Sequence, residues 1–400
     1  MSNKVMLQLI WLKKSKMVRW DIFCHVVDNY GDVGVCWRLA CQLATEFGMT
    51  VRLLVDDLGS LQRIYPEIDS NLTVQHIRNI QILHWAKPFP DLVPADVVIE
   101  AFGCELPANY VTAMAAAPSQ AADSADTKER AECMWINLEY LSAESWVEGC
   151  HRLASPHPRL PLTKYFFFPG FAAATGGVIR EAGLFTQRDS LQSDPKKLWY
   201  ELGIPVPASD ETIVSLFCYD HAPVGHLLEA WVTSTSPVRC LLPEGVASRQ
   251  AATWAGKSHL IAGDSVQRGN LVLQVIPFMS QENYDRLLWG CDCNFVRGED
   301  SFMRAQWAAR PVIWQIYLQQ EDAHLPKLEA FLNLYCQGLV QEAAKALRAL
   351  HQGWNNNEQL DWDNFWRYHK ALQQHAIAWA EQLAQAPDLA SNLVNFCRNR

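Results

Sequence analysis

Two carboxylates stand four residues apart in Asp28-Asn29-Tyr30-Gly31-Asp32-Val33-Gly34, between an apolar run and a helix-like stretch. So placed at a helix start, they can face the same cleft and act there on an acceptor nucleophile. Gly31 and Gly34 permit a tight turn and close approach of a ligand. Negative charge is also favoured near a helix N-terminus. The competing reading is that Asp32 only caps a helix beginning near Val33; Asp28, at the end of the preceding strand, is not explained that way. A second group, Arg297-Gly298-Glu299-Asp300-Ser301-Phe302, follows a strand and opens a helix. Backbone N–H groups at a helix start suit a phosphate. Ser301 adds a hydroxyl, and Arg297 either neutralises charge or pairs with a carboxylate to hold the loop. A diphosphate would repel Glu299, which is therefore placed towards sugar or ribose hydroxyls. The plain alternative is an acidic helix start with a Ser cap.

Phe217-Cys218-Tyr219 ends another strand, and Pro277-Phe278-Met279-Ser280-Gln281 follows a further one. Aromatic rings over a cleft can sandwich a pyrimidine, with Gln281 bonding its edge; aromatic core packing is the competing reading. Tyr317 to Lys327 (YLQQEDAHLPK) offers a phenol, Glu321, Asp322, His324 and Lys327 near the same diphosphate, or else a solvated helix face. The sequence has no HExxH, GxSxG, EF-hand or Walker pattern, which argues against a metalloprotease, a serine hydrolase and a P-loop NTPase.

Strands alternating with helices must carry these groups. Trp20 to Val27 (WDIFCHVV) reads as a buried strand, and Val33 to Phe47 as an amphipathic helix stopped by Gly48. Strands follow at Thr50–Val55, Val74–Ile77, Asp96–Ile99 and Trp135–Asn137. Lys164 to Gly177 (KYFFFPGFAAATGG) reads as a transition, with the change of domain near Arg180 to Thr186. A second series runs through Thr212–Cys218, Val238–Leu242, Leu271–Ile276, Cys293–Val296 and Pro311–Trp314, and Asp361 to Asn399 is helical. Such alternation implies parallel, doubly wound sheets, whose ligands bind beyond the carboxyl ends of the strands. Asp28, Asp32, Asp56, Glu100 and Glu139 fall there. The expected fold class is α/β of the GT-B kind: two Rossmann-like domains facing a cleft, with a C-terminal helical tail.

The chain of 400 residues is long enough for two such cores. A content of 49% hydrophobic and 19% charged residues is a globular balance. The formal charge of -9 opposes a nucleic-acid binder, which needs a basic face. Twelve scattered cysteines without a CxxC pair suggest reduced thiols and a cytoplasmic location, and make a structural zinc site improbable. Residues 1–18 read as an extension, expected to be disordered or to reflect an upstream start. Their apolar part is too short for a membrane span, and no other segment approaches that length. Ala115 to Arg130 reads as a surface insert.

Taken together, these blocks resemble the EarP family, the protein-arginine rhamnosyltransferases of translation elongation factor P. The resemblance rests on WDIFCHVVDNYGDVGVCWRLA, NLEYLSAE, KYFFFPGF, SLFCY, IPFMSQ, RGEDSFMRAQWA and the W-Q-I-Y-x-Q-x-E-D-A-H-L-x-K-L run, in order from Trp20 to Phe331. It implies an inverting, metal-independent transferase that moves rhamnose from dTDP-β-L-rhamnose to one arginine of elongation factor P, with no cofactor, nucleic acid or membrane involved. It further implies that Asp28 and Asp32 are the acidic pair, with Asp32 the base, and that Glu299 is an essential acid. Asp300, Ser301 and Tyr317 would contact the diphosphate, and Phe217, Tyr219, Phe278 and Gln281 the nucleotide and sugar. Arg297 is expected beside the donor, and the glycines Gly31 and Gly34 in the loop. Residues 19–182 would bind the acceptor, with the helix at about 375–400 packed back on them, and residues 183–374 would bind the donor. Rival readings are a transferase of the same fold with another donor or acceptor, and a non-catalytic nucleotide-sugar binder.

Overall fold

The computed structural model describes residues 18–116, 133–319 and 324–400. The N-terminal extension, most of the Ala115–Arg130 insert, Glu321 and Asp322 lie outside the described residues. Among the described residues the first sheet has eight strands: β1 Arg19–Cys24, β2 Thr50–Val55, β3 Val74–Ile77, β4 Ile80–His84, β5 Val97–Ala101, β6 Met134–Leu138, β7 Ala154–Pro156 and β8 Thr163–Phe167. Their order is β3-β4-β2-β1-β5-β6-β8-β7, parallel except for the two edge pairs β3/β4 and β7/β8. The second sheet holds β9 Thr212–Leu216, β10 Val238–Pro243, β11 Ser265–Arg268, β12 Leu271–Ile276, β13 Cys293–Arg297 and β14 Val312–Gln315. Its order is β11-β12-β10-β9-β13-β14, with only β11 antiparallel.

The central strands are apolar on both faces because helices cover both, as a parallel sheet requires. Ile22, Phe23, Leu53, Leu54, Val98 and Ile99 are all fully buried. The chain reverses direction of winding beside β1 in the first sheet and beside β9 in the second. These are the switch points at which loops part and leave a crevice. The loop after β1 carries Asp28, the loop after β9 carries Tyr219, and the turn after β13 carries Glu299 and Asp300.

Several boundaries differ from the sequence reading. β1 stops at Cys24, not Val27, because Val26 N–H turns to donate to Asp56 Oδ1 at 2.9 Å instead of continuing the ladder. KYFFF, read as the start of a transition, supplies most of β8, an inner strand paired parallel to β6. The edge strands β7 and β11, and β4 inside the β3/β4 hairpin, are short or polar and carry little alternating signal.

The tail ties the halves together. The His369–Ala384 helix lies on the second half, where Trp379 Nε1 donates to Gln306 Oε1 at 2.9 Å. The Leu389–Arg398 helix returns to the first half. Leu389 N–H donates to the Val178 carbonyl at 3.1 Å, Asn392 Nδ2 to that of Gly176 at 3.0 Å, and the Phe396 ring lies 5.9 Å from that of Phe167.

Candidate active site

The helix after β1 spans Gly31–Glu46, so it starts two residues before the expected Val33 and places Asp32 in its first turn. The residue at its cap is Tyr30, whose side chain makes no capping bond. Asp32 instead turns backwards. Its Oδ2 accepts the backbone N–H groups of Val27 and Asp28, both at 2.9 Å. The capping reading therefore fails: Asp32 braces the loop that presents Asp28. The Tyr140 hydroxyl also bonds Asp32. Asp32 is 1% exposed, and burial raises its pKa against the pull of those donors.

Asp28, 8% exposed, reaches across the cleft, where its Oδ2 accepts the Tyr219 hydroxyl at 2.7 Å. Burial raises its pKa as well, opposed by Tyr219 and by the Arg297 charge. Three glycines make room, in ways the sequence reading did not assign. Gly31 lies in the helix, where a Cβ would come 2.6 Å from Asp28 Oδ2; a Cβ on Gly34 would come 2.7 Å from Gln281 Nε2 of the other domain. The left-handed backbone belongs to Gly298, at φ +62°, where a Cβ would collide with the Asp28 carboxylate and lie 2.7 Å from Tyr219 Oη. Gly298→Ala is expected to lower stability by ~1–3 kcal/mol through that strain and to break the Asp28–Tyr219 bond. Urea denaturation checks the first effect. Unchanged stability would mean the turn relaxes freely.

Glu299 precedes the Asp300–Ala308 helix and reaches the first domain, where its Oε1 accepts Leu141 N–H at 2.9 Å. Burial, with Asp32 and Asp28 nearby, pushes its pKa up to about 7, against the opposing pull of Lys327 and the Leu141 N–H. Three carboxylates thus share a cleft with the Arg297 guanidinium, and Lys327 lies close enough to pull on Glu299. That guanidinium is held by aromatic faces, 4.4 Å from the Phe217 ring centre and 4.6 Å from that of Tyr219, and its Nη1 donates to the Cys218 carbonyl at 3.0 Å. Among the described residues it forms no ion pair with a carboxylate.

Asp300 and Ser301 open the second-domain helix. The Ser301 hydroxyl donates to the Arg297 carbonyl and accepts Arg297 N–H at 3.2 Å, so it is committed to its own turn. Asp300 is also engaged: Oδ1 accepts Arg38 Nε at 2.8 Å and Oδ2 accepts Gln281 Nε2 at 2.9 Å. What this helix start offers an anion is its backbone N–H groups. A pocket partly open to solvent is lined by Asp28, Tyr30, Gly31, Phe217, Phe278, Gln281, Arg297, Asp300 and Ser301. Asp32, Tyr219, Glu299 and Tyr317 do not line it. Tyr317 is 39% exposed and meets the Tyr219 ring edge-on at 5.7 Å.

Other strand-end acids serve the fold. Glu100 pairs with Lys164 at 3.2 Å and accepts Trp135 Nε1 at 2.9 Å, while Asp56 pairs with His25. Sequence reasoning missed Tyr140, although its place after β6 was a signal. It also missed Arg38, Glu181, Asp285 and Arg304, which look like ordinary helix charges until the domains meet. Among the described residues no group of three or more His, Cys, Asp or Glu is arranged to hold a metal ion.

The family model described as "Elongation-Factor P (EF-P) rhamnosyltransferase EarP" matches residues 20–398. A protein-arginine rhamnosyltransferase of Pseudomonas putida is 46% identical over 388 residues, covering 95% of this chain and 98% of its own. One from Pseudomonas aeruginosa is 44% identical over 385 residues, covering 95% and 99%. A solved structure described as the structural basis for EarP-mediated arginine glycosylation of translation elongation factor EF-P is 35% identical, with a TM-score of 0.66, covering 96% and 99%. The fold is GT-B, and the chain belongs to the EarP family of rhamnosyltransferases.

Proposed function

We propose that this glycosyltransferase moves rhamnose from dTDP-β-L-rhamnose to an arginine side chain of translation elongation factor P, with inversion at C1, so that the factor supports translation of polyproline stretches. The observation that carries the reading is the meeting of Asp28 and Asp32 with Glu299, which stands at the helix N-terminus on the other side of the cleft. Carboxylates have no use in simple diphosphate binding, but they suit a guanidinium, which stays protonated at any ordinary pH. The same assignment gives residues 19–182 and the returning tail to the acceptor, residues 183–374 to the donor, and the cytoplasm as the place of work.

On this reading Asp28 holds the planar guanidinium by charge-assisted bonds and aims one nitrogen at C1. That nitrogen forms the new C–N bond as the C1–O bond to the diphosphate breaks. Asp32 accepts the displaced N–H proton. The diphosphate leaves with its charge against the backbone N–H groups at Asp300 and Ser301. Phe217, Phe278 and Gln281 hold the base, Tyr219 fixes Asp28, and Glu299 faces the sugar hydroxyls. A nucleoside diphosphate leaves well, so no acid is required there, and no step calls on a metal.

Incubation with dTDP-rhamnose and intact elongation factor P, followed by mass spectrometry of the acceptor, tests the reading. The expected result is one added deoxyhexose on one arginine. Addition from another nucleotide sugar, or to another acceptor only, would replace the donor or acceptor assignment. Binding of dTDP with no transfer to any acceptor would replace catalysis with binding.

A further inference from the structure

Arg38 lies on the first-domain Gly31–Glu46 helix, about two turns beyond Asp32, and is 6% exposed. All of its polar atoms are spent on the second domain and the connection to it. Nε donates to Asp300 Oδ1 at 2.8 Å, and Nη1 and Nη2 donate to Asp285 at 3.0 Å each. Glu181 lies 3.6 Å away. Arg304 closes the group from the other side, pairing with Asp285 at 2.8 Å and Glu181 at 2.6 Å. Arg38 does not line the donor pocket, but Asp300 does.

The position of Asp300 is awkward for a phosphate site. It is a buried carboxylate at the helix start whose N–H groups are to receive a diphosphate, and like charges there repel. Gln281 supplies one hydrogen bond but no charge. The cation bonded directly to Asp300 is Arg38, and it comes from the opposite domain. We infer that Arg38 is a positioning residue for the donor: it neutralises Asp300 and turns it away from the diphosphate, so donor affinity depends on the two domains being docked. The same helix carries Asp32 at its start and Arg38 further along, which links acceptor chemistry and donor binding through one rigid rod. This inference rests on the diphosphate placement proposed above.

A double-mutant cycle of Arg38→Met and Asp300→Asn, read by calorimetric binding of dTDP and of UDP, tests it. Nucleotide binding by the wild-type protein bears on the donor assignment: UDP binding in place of dTDP would change the base, while the cycle would still read the diphosphate. Arg38→Met is expected to weaken binding about 10–100-fold, or about 1.4–2.7 kcal/mol, within the range of couplings between groups in one ion-pair network. Adding Asp300→Asn should recover much of that loss, since the unpaired charge is then gone. Arg38→Lys, whose ammonium cannot span Asp300 and Asp285 with a fork, should bind with intermediate affinity, and it serves if the Met variant does not fold. Wild-type affinity in both Arg38 variants, or no recovery in the double variant, would overturn the inference.

Discussion

Asp32→Asn is expected to lower kcat by about 10²–10⁴-fold, the range for loss of a positioned general base. The fold should persist because of how Asp32 is held. One oxygen, Oδ2, takes both loop N–H groups. An Asn oxygen can occupy that place and keep Asp28 where it is. The other oxygen becomes an amide nitrogen, which cannot accept a proton. The loss should therefore appear in kcat, with urea denaturation close to the wild type and dTDP affinity unchanged. Steady-state kinetics with intact elongation factor P is the measurement. Near-normal turnover would remove Asp32 from the role of base and leave it as a brace for the loop.

Glu299→Gln should make the protein more stable above neutral pH while reducing its activity. In the folded protein the Glu299 pKa is raised to about 7, while an unfolded glutamate titrates near 4.3. A raised pKa means that its contribution to stability is fully present below pH ~4.3 and is lost as pH rises towards and through about 7. Above that, the wild-type protein carries an ionised, partly buried carboxylate beside Asp28 and Asp32. Glutamine removes that charge and still offers an oxygen to Leu141 N–H. The expected gain at pH 8 is roughly 3 kcal/mol, and close to none at pH 4. Denaturation at the two pH values measures it; an equal difference at both would show that ionisation of Glu299 is not the cause. Turnover should fall because the same charge, costly in the empty cleft, has a sugar and a cationic acceptor to meet when the cleft is filled. This is the trade between stability and activity expected of a site that holds like charges close together.

Much of the architecture was written in local pattern. Apolar runs bounded by polar turns marked the inner strands β1, β2, β5, β9, β10, β12 and β13 and the edge strand β14, because strands covered on both faces must be apolar throughout. KYFFF reads as the start of a transition from its aromatic run before Pro-Gly, and only its pairing with β6 makes it a strand. The edge strand β3 is legible at Val74–Ile77, whereas β7 and β11 are not, because they are short and polar and carry no period.

For the site, the sequence by itself determined the residue types: two carboxylates on one loop, Arg-Gly-Glu-Asp-Ser at a helix start, and aromatic rings at strand ends, in blocks distinctive enough to mark a family. Only the tertiary structure decided what each one touches. Asp28 and Tyr219 are 191 positions apart and 2.7 Å in contact. Arg38 and Asp300 are 262 positions apart and 2.8 Å in contact. The reason is physical: a loop's chemistry is encoded locally, but charge neutralisation, proton affinity and steric clearance depend on groups brought from the other domain. So Asp32 braces its own loop, Gly298 rather than Gly31 or Gly34 takes the left-handed turn, and an arginine that looks like a helix charge is bonded to Asp300 in the cleft.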